Sequence, residues 1–306
     1  MMDGALKVLV TGAAGFVGAE VVRALVERGA TVIAPLRPST ARRRLEPWLS
    51  RIRVVETVLD DVPAVDALLA AERPDVVVHA AWYAHPRDYR RSIANLDSLA
   101  MTVRFAERVV HHRCARLVAL GTCLEYRPSA APLREDDPIE PSTLYASCKA
   151  AAQQVLQALT AGSTTEFIWA RLFHIHGRGE DPERLLTRIA RDLRQGHVID
   201  LSPGLQVRDQ LDVSDVAEAI AHLASTPGLA GAFNVASGVP VALRDVLTLL
   251  AELAGRRELL RFGARPYLPD EVMYLVGEPR RLRQSGWAPQ RDLRSGLQEL
   301  LRAVPD

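Results

Sequence analysis

Lysine is almost missing from this chain. Of 38 basic residues only Lys7 and Lys149 are lysines, and the rest are arginines. A GC-rich genome imposes such a bias, and under it a lysine survives best where arginine cannot replace it. Arginine's pKa lies too high to tune and its head is bulky and planar, whereas lysine is a compact point charge. Lys149 therefore stands out before any motif is considered. Long apolar runs are missing too: none approaches the ~18 residues of a membrane span, and Met1-Met2-Asp3-Gly4 does not read as a signal peptide. The three cysteines, Cys114, Cys123 and Cys148, are odd in number and lack metal-ligand spacing. Neither a disulfide framework nor a metal site is expected from them. Nor is there an excess of one charge: the net value of +1 gives no reason to expect nucleic acid or an anionic membrane as partner. The cytoplasm follows as the default location. With 306 residues, 48% hydrophobic and 25% charged, the chain can bury a large core, as one large domain or two intimately packed ones.

The stretch that organises the chain is Thr11-Gly12-Ala13-Ala14-Gly15-Phe16-Val17-Gly18. Before it lies Val8-Leu9-Val10, short and β-branched, as a strand buried on both faces reads. After it, Val21, Val22, Leu25 and Val26 recur at helical spacing. The glycines thus sit at a strand-to-helix turn, where the backbone can adopt positive φ and approach a ligand closely. The free amides and positive end of the helix would face a pyrophosphate, so the turn is expected to bind a dinucleotide. Gly12, Gly15, Phe16, Val17 and Gly18 are the expected contacts.

A strand–helix rhythm continues from there. Thr31–Ala34, Ile52–Val55, Asp75–Ala81 and Arg116–Leu120 read as strands, and Val65–Ala71 and the long segment Tyr89–His112 as helices. This alternation predicts a doubly wound parallel α/β sheet. A site that prefers NAD usually ends its second strand in an acidic residue that holds the ribose hydroxyls. Here the chain reads Pro35-Leu36-Arg37, with Arg42, Arg43 and Arg44 close behind. A guanidinium grips a 2′-phosphate bidentately, so NADP(H) is expected over NAD(H), with Arg37 as the contact and a solvated basic loop as the alternative for the triple-arginine run.

The second signature is Tyr145-Ala146-Ser147-Cys148-Lys149, which opens a helix reaching about Ala161. Tyrosine and lysine four apart lie on one helix face. A free phenol, with a pKa of ~10, is a poor acid–base catalyst near neutrality. A fixed ammonium nearby would lower that value. Thr122 ends the fifth strand 23 residues before Tyr145. A strand-end hydroxyl, a tyrosine–lysine pair and a glycine turn together point to carbonyl reduction or alcohol oxidation by a nicotinamide.

On these three elements the chain resembles an extended short-chain dehydrogenase/reductase of the nucleotide-sugar-modifying, epimerase/dehydratase-like kind. The resemblance implies a Rossmann-like domain over residues 1–170, with a return near 205–238, and a smaller, mainly substrate-binding α/β domain over 171–306. It implies that Thr122 binds the substrate oxygen, Tyr145 transfers the proton, and Lys149 holds the nicotinamide ribose. Ala80 and Ala81 would flank the cofactor, while His79 reads as packed and Asn95 as structural. The stretch from Gly204 to Val216 resembles the family's "RDFIHVDDV" segment, so Arg208 would contact a substrate diphosphate. Arg265, in Arg265-Pro266, is the second such candidate. Trp82 and Tyr83, in a loop rich in aromatic rings, Cys123, and His174 in place of the family's asparagine are further substrate-side candidates. Cys123-Leu124 stands where the family's 4,6-dehydratases carry Asp-Glu. Leucine transfers no proton, which argues against a dehydratase.

The expected function is reduction of a nucleotide-activated 4-keto-6-deoxyhexose by NADPH. A 4-epimerase with retained NAD(P) is the runner-up, and a noncatalytic NADP-binding regulator a minor alternative. The expected partners are a nucleotide-diphosphate sugar and a second copy of the chain, joined through a four-helix bundle.

Overall fold

The structure, a computed structural model, describes residues 5–269 and 271–304. Its strands are β1 (Lys7–Thr11), β2 (Thr31–Leu36), β3 (Arg53–Glu56), β4 (Val76–His79), β5 (Arg116–Thr122), β6 (Glu166–Leu172), β7 (His174–His176), β8 (Ile199–Leu201), β9 (Val207–Asp212), β10 (Gly231–Val235), β11 (Pro240–Ala242), β12 (Leu260–Phe262) and β13 (Tyr274–Leu275). Its helices are α1 (Phe16–Glu27), α2 (Val62–Glu72), α3 (Ala94–His111), α4 (Leu144–Thr160), α5 (Leu185–Arg194), α6 (Val213–Ser225), α7 (Leu243–Leu253), α8 (Arg280–Gln284) and α9 (Leu293–Ala303). None of the helices among the described residues is long and apolar enough to cross a membrane.

The main sheet has seven parallel strands in the order β10-β6-β5-β4-β1-β2-β3. The apolar run Val8-Leu9-Val10 is fully buried at its centre because helices cover both faces. Residues of α1 and α6 pack on one face, and Leu69 of α2, Phe105 of α3 and Leu156 of α4 on the other. Between β1 and β4 the strand order reverses, which opens a crevice at the carboxyl ends of the strands. The glycine turn and the end of β5 both face that crevice.

Outside the main sheet, β11-β9-β13 form a small sheet that β7 joins through β9, and β12 pairs with β8. Around them α5, α7 and α9 share a separate apolar core that includes Ile189, Leu247 and Leu297. One edge of the main sheet is β3, the other β10. There the Arg281 guanidinium donates to the carbonyls of Ala230 and Ala232.

Several boundaries differ from the sequence expectation, and two of them bear on the site. The long helix begins at Ala94 rather than Tyr89, because the preceding residues wind through turns closed by the Asn95 amide on Tyr89 O (2.6 Å) and Ser92 O (2.8 Å). A short amide side chain that takes local carbonyls in this way competes with the helix. Strand β4 ends at His79 rather than Ala81. Ala80 N still donates to the Thr11 carbonyl, but Ala81 N turns to the Thr11 hydroxyl, both at 3.3 Å, and the ladder stops there.

Candidate active site

The glycine turn is shaped by contact on two sides. Gly12 has φ +67°, and a Cβ there would lie 2.7 Å from backbone atoms of Ala80 and Ala81. A Cβ on Gly18 would fall 2.1 Å from Gly12 O, so only glycine lets α1 come this close to the turn. Gly15 has an ordinary φ of −74° and caps α1 with no side-chain bond. The first amides of α1, at Phe16 and Val17, thus open toward the crevice with no side chain of the cap across them. The structure brings Gly12, Gly18, Ala80 and Ala81 together around one concave turn. His79 is sealed behind it between the Thr11 and Thr102 hydroxyls, each at 2.9 Å, and burial pulls its pKa down to about 3.

Arg37 lies exposed immediately beyond β2. Of the following arginines, Arg42 pairs with Glu56 at 3.2 Å and Arg44 donates to Gly179 O at 2.9 Å, so the run is partly consumed by internal contacts.

Thr122, Tyr145 and Lys149 meet where β5 ends and α4 begins. Thr143 caps α4 through the Ala146 amide (3.2 Å), which fixes the first turn that carries Tyr145. The phenol is flanked edge-on by Tyr89 (ring centroids 5.0 Å apart) and Trp82 (6.4 Å), and the Thr122 side chain acts to lower its pKa. One turn on, Lys149 Nζ donates to Leu120 O at 2.7 Å and sits 3.8 Å from the centre of the Trp82 ring. Burial lowers the Lys149 pKa to about 7.

The tyrosine differs from expectation. Burial, with Tyr89 next in effect, pushes its phenol up, and Thr122 only partly offsets this. The cause is steric: aromatic rings enclose the phenol, while the ammonium turns to the Leu120 carbonyl and the indole face.

On the substrate side, Trp82 is pinned by its Nε1 donating to Asn95 Oδ1 at 2.9 Å. Tyr83 turns outward to Asp88 (2.8 Å). Cys123 packs with Tyr126, Leu133 and Phe173, and burial pushes its thiol up to about 12. His174 leaves its buried Nδ1 without a partner, and burial, reinforced by the charges of Arg208 and Arg90, pulls it down to about 3. Arg208 pairs with Glu271 at 2.6 Å and also senses Arg90. Arg90 is thus a further basic group acting on Arg208, one the sequence reading did not single out, although the run His85-Pro86-Arg87-Asp88-Tyr89-Arg90 was the available signal. Arg265 is exposed beyond β12, with its amide on Leu201 O.

Glu125 was also missed. It is fully buried in the short turn after β5. Its Oε1 accepts from the Thr122 amide (2.8 Å), and its Oε2 accepts from Trp169 Nε1 (3.0 Å) and Arg171 Nε (2.9 Å).

A strap completes the crevice. Arg178 bonds Glu20 of α1 (2.9 Å), Gly179 O accepts from Arg44, Glu183 pairs with Arg87, and Arg184 donates to Ala84 O (3.1 Å). Residues 177–184 are thereby tied on one side to α1 and the turn after β2, and on the other to the loop after β4.

Comparison with known proteins agrees with this geometry. Residues 8–236 match the model of the NAD-dependent epimerase/dehydratase family. The chain is 30% identical to dTDP-6-deoxy-L-talose 4-dehydrogenase (NAD(P)(+)) of Kitasatospora kifunensis, over 97% of this chain and 95% of the relative. It is 29% identical to dTDP-4-dehydro-6-deoxy-D-allose reductase of Streptomyces bikiniensis, over 96% and 95% respectively. Among solved structures, UDP-glucose 4-epimerase of Thermus thermophilus in complex with NAD superposes with a TM-score of 0.86 at 25% identity, covering 98% of this chain and 99% of the other. A family match across most of the chain, on a sheet whose switch point carries the glycine turn and the tyrosine–lysine pair, places this protein in the NAD-dependent epimerase/dehydratase family.

Proposed function

We propose that the protein is an NADPH-dependent reductase of a nucleotide-activated 4-keto-6-deoxyhexose. The observation that carries this reading is the meeting of the Tyr145 phenol, the Thr122 hydroxyl and the Lys149 ammonium at the end of β5, beside the glycine turn. The turn fits a dinucleotide: its glycines leave no room for a Cβ, and α1 begins without a side-chain cap, so backbone amides are available to a pyrophosphate. Arg37 would take the 2′-phosphate. When bound there, a reduced nicotinamide would supply the hydride for C4.

The chain supplies the rest. Thr122 orients the C4 oxygen, and Tyr145 delivers the proton to it. A phenol pushed up by burial stands protonated at neutrality, which is the state a reductase needs. Lys149, held by Leu120 O and Trp82, fixes the position of the tyrosine and would hold the nicotinamide ribose. The charges of Arg208 and Arg90 both act on His174, and two guanidinium groups would suit a diphosphate. Trp82 would line the sugar pocket. Glu125, the nearest carboxylate after Thr122, points back into the protein, which argues against elimination of water. The two dTDP-sugar relatives, named for oxidation or reduction of deoxysugars, support chemistry at C4. The same reading takes α3 and α4 as a homodimer face, where Leu96 and Val155 are exposed.

The test is direct. With NADPH and a dTDP-4-keto-6-deoxyhexose, the reduced nicotinamide should disappear in equal amount to the alcohol formed. Interconversion of C4 epimers with bound cofactor and no net consumption would establish the 4-epimerase reading instead. The tied strap over residues 177–184 favours that second reading, since it would slow cofactor exchange.

A further inference from the structure

We propose that Glu125 is a positioning residue of the reaction: its carboxylate anchors Thr122 and provides the buried negative charge that faces Lys149. The inference rests on the roles proposed for Thr122, Tyr145 and Lys149.

A buried carboxylate is costly, and a buried ion pair is weak evidence for stability, so its presence calls for another reason. The surroundings are built to hold it. Gly121 carries no side chain at the point where a Cβ would lie 2.2 Å from Trp169 Nε1 and 2.8 Å from Glu125 Oε1. With that space open, one carboxylate accepts from the Thr122 amide, the Trp169 indole and the Arg171 guanidinium. The amide bond sets the backbone from which the Thr122 hydroxyl projects.

The same carboxylate reaches the other half of the site. Arg171 continues to Gln153 Oε1 at 2.8 Å. Tyr145, Lys149 and Gln153 follow one another at four-residue steps along one face of α4. Glu125 thus fixes Thr122 directly and the face that carries Tyr145 and Lys149 through Arg171. Lys149 Nζ also lies 5.9 Å from the centre of the Trp169 ring that Glu125 holds.

The groups facing Lys149 leave Glu125 as its counter-charge. Tyr145 lies on its own helix. Trp82 presents an indole face from the loop after β4, and His79 on β4 is held neutral. Burial draws the lysine down and Glu125 acts in the opposite direction. Burial also pushes the Glu125 carboxyl up, and Arg171, paired with it at 2.9 Å, acts to keep it charged.

The near-absence of lysine supplies the experiment. Protein labelled at lysine Cε gives two signals, from Lys7 and Lys149, and Lys7→Arg assigns them. Glu125→Gln removes the charge and keeps an acceptor for the Thr122 amide. It should move the Lys149 titration down by on the order of one pH unit. Glu125→Asp keeps the charge but draws it back by one methylene, and should move it down by less. The pH profile of kcat should shift with the titration in each variant. Unchanged Lys149 titration in a folded Glu125→Gln protein, or a larger fall in Glu125→Asp than in Glu125→Gln, would overturn the proposal. If Glu125→Gln fails to fold, Glu125→Asp alone decides, because an unchanged or raised titration there contradicts it. The titration is read on resting protein, so failure to reduce a keto sugar would refute the proposed function without touching this result.

Discussion

Replacing Gly18 by alanine tests whether close backbone contact, rather than backbone freedom, shapes the dinucleotide turn. The added Cβ would lie 2.1 Å from Gly12 O and 2.7 Å from Gly12 C. Ordinary contact begins near 3.4 Å, so α1 and the turn must part by roughly 1 Å. The turn cannot yield on its other side, because Gly12 is already 2.7 Å, measured from an ideal Cβ, from the backbone of Ala80 and Ala81. Forcing atoms into a packed site of this kind costs about 1–3 kcal/mol, a fall of several degrees in Tm. Displacing the helix tip should also weaken cofactor binding tenfold or more, since each tenfold is about 1.4 kcal/mol. Gly15→Ala is the control: at φ −74° its Cβ meets only Gly12 O, at 3.1 Å. Thermal melts compare the two variants, and quenching of tryptophan fluorescence by NADPH reads binding. If Gly18→Ala melts within about a degree of the wild type, or no lower than Gly15→Ala, the packing argument is wrong.

Three further outcomes are expected. Tyr145→Phe keeps the ring contacts with Tyr89 and Trp82 but removes the proton, so kcat should fall on the order of 10²–10⁴-fold with cofactor affinity unchanged; a loss under about tenfold in steady-state assays would deny the tyrosine its role. Lys149→Arg preserves charge yet should abolish most activity, because a planar guanidinium cannot replace a point charge 2.7 Å from Leu120 O and 3.8 Å from the Trp82 ring centre; wild-type rates in the variant would contradict this. Acid should destabilise the fold: His79 and His174 stay neutral down to about pH 3, whereas the unfolded chain protonates both near 6.5. As pH falls through that window the unfolded state gains protons first, and these two sites together remove up to about 2.7 kcal/mol per pH unit. Urea midpoints at neutral pH and near pH 5 report the loss, and equal midpoints would refute it.

The elements legible in the sequence were the local ones. The glycine turn, the tyrosine–lysine pair and Thr122 are each specified by residues within a few positions of one another, and the rhythm of buried strands follows from runs such as Val76-Val77-Val78. The rest depends on pairs distant in the chain. Glu125 meets Trp169 and Arg171 across 44 and 46 residues, so no spacing announces the network. Arg208 was expected to share a diphosphate with Arg265; the charge of Arg90, from the loop after β4, also acts on it, and no motif announced that. The state of Tyr145 was misjudged for a related reason: motif spacing places an ammonium nearby, while the enclosing Tyr89 and Trp82 rings belong to a separate segment.

The guanidinium of Arg281 has a consequence for how the chain behaves in a crowded solution. An outermost strand offers a row of free carbonyls and amides to any like strand from another molecule, the first step toward fibrous or amorphous deposits. At β10 the carbonyl of Ala232, and that of Ala230 just before the strand, are already occupied by a bulky cation. A sheet that could otherwise lengthen from molecule to molecule is thereby blocked at that margin.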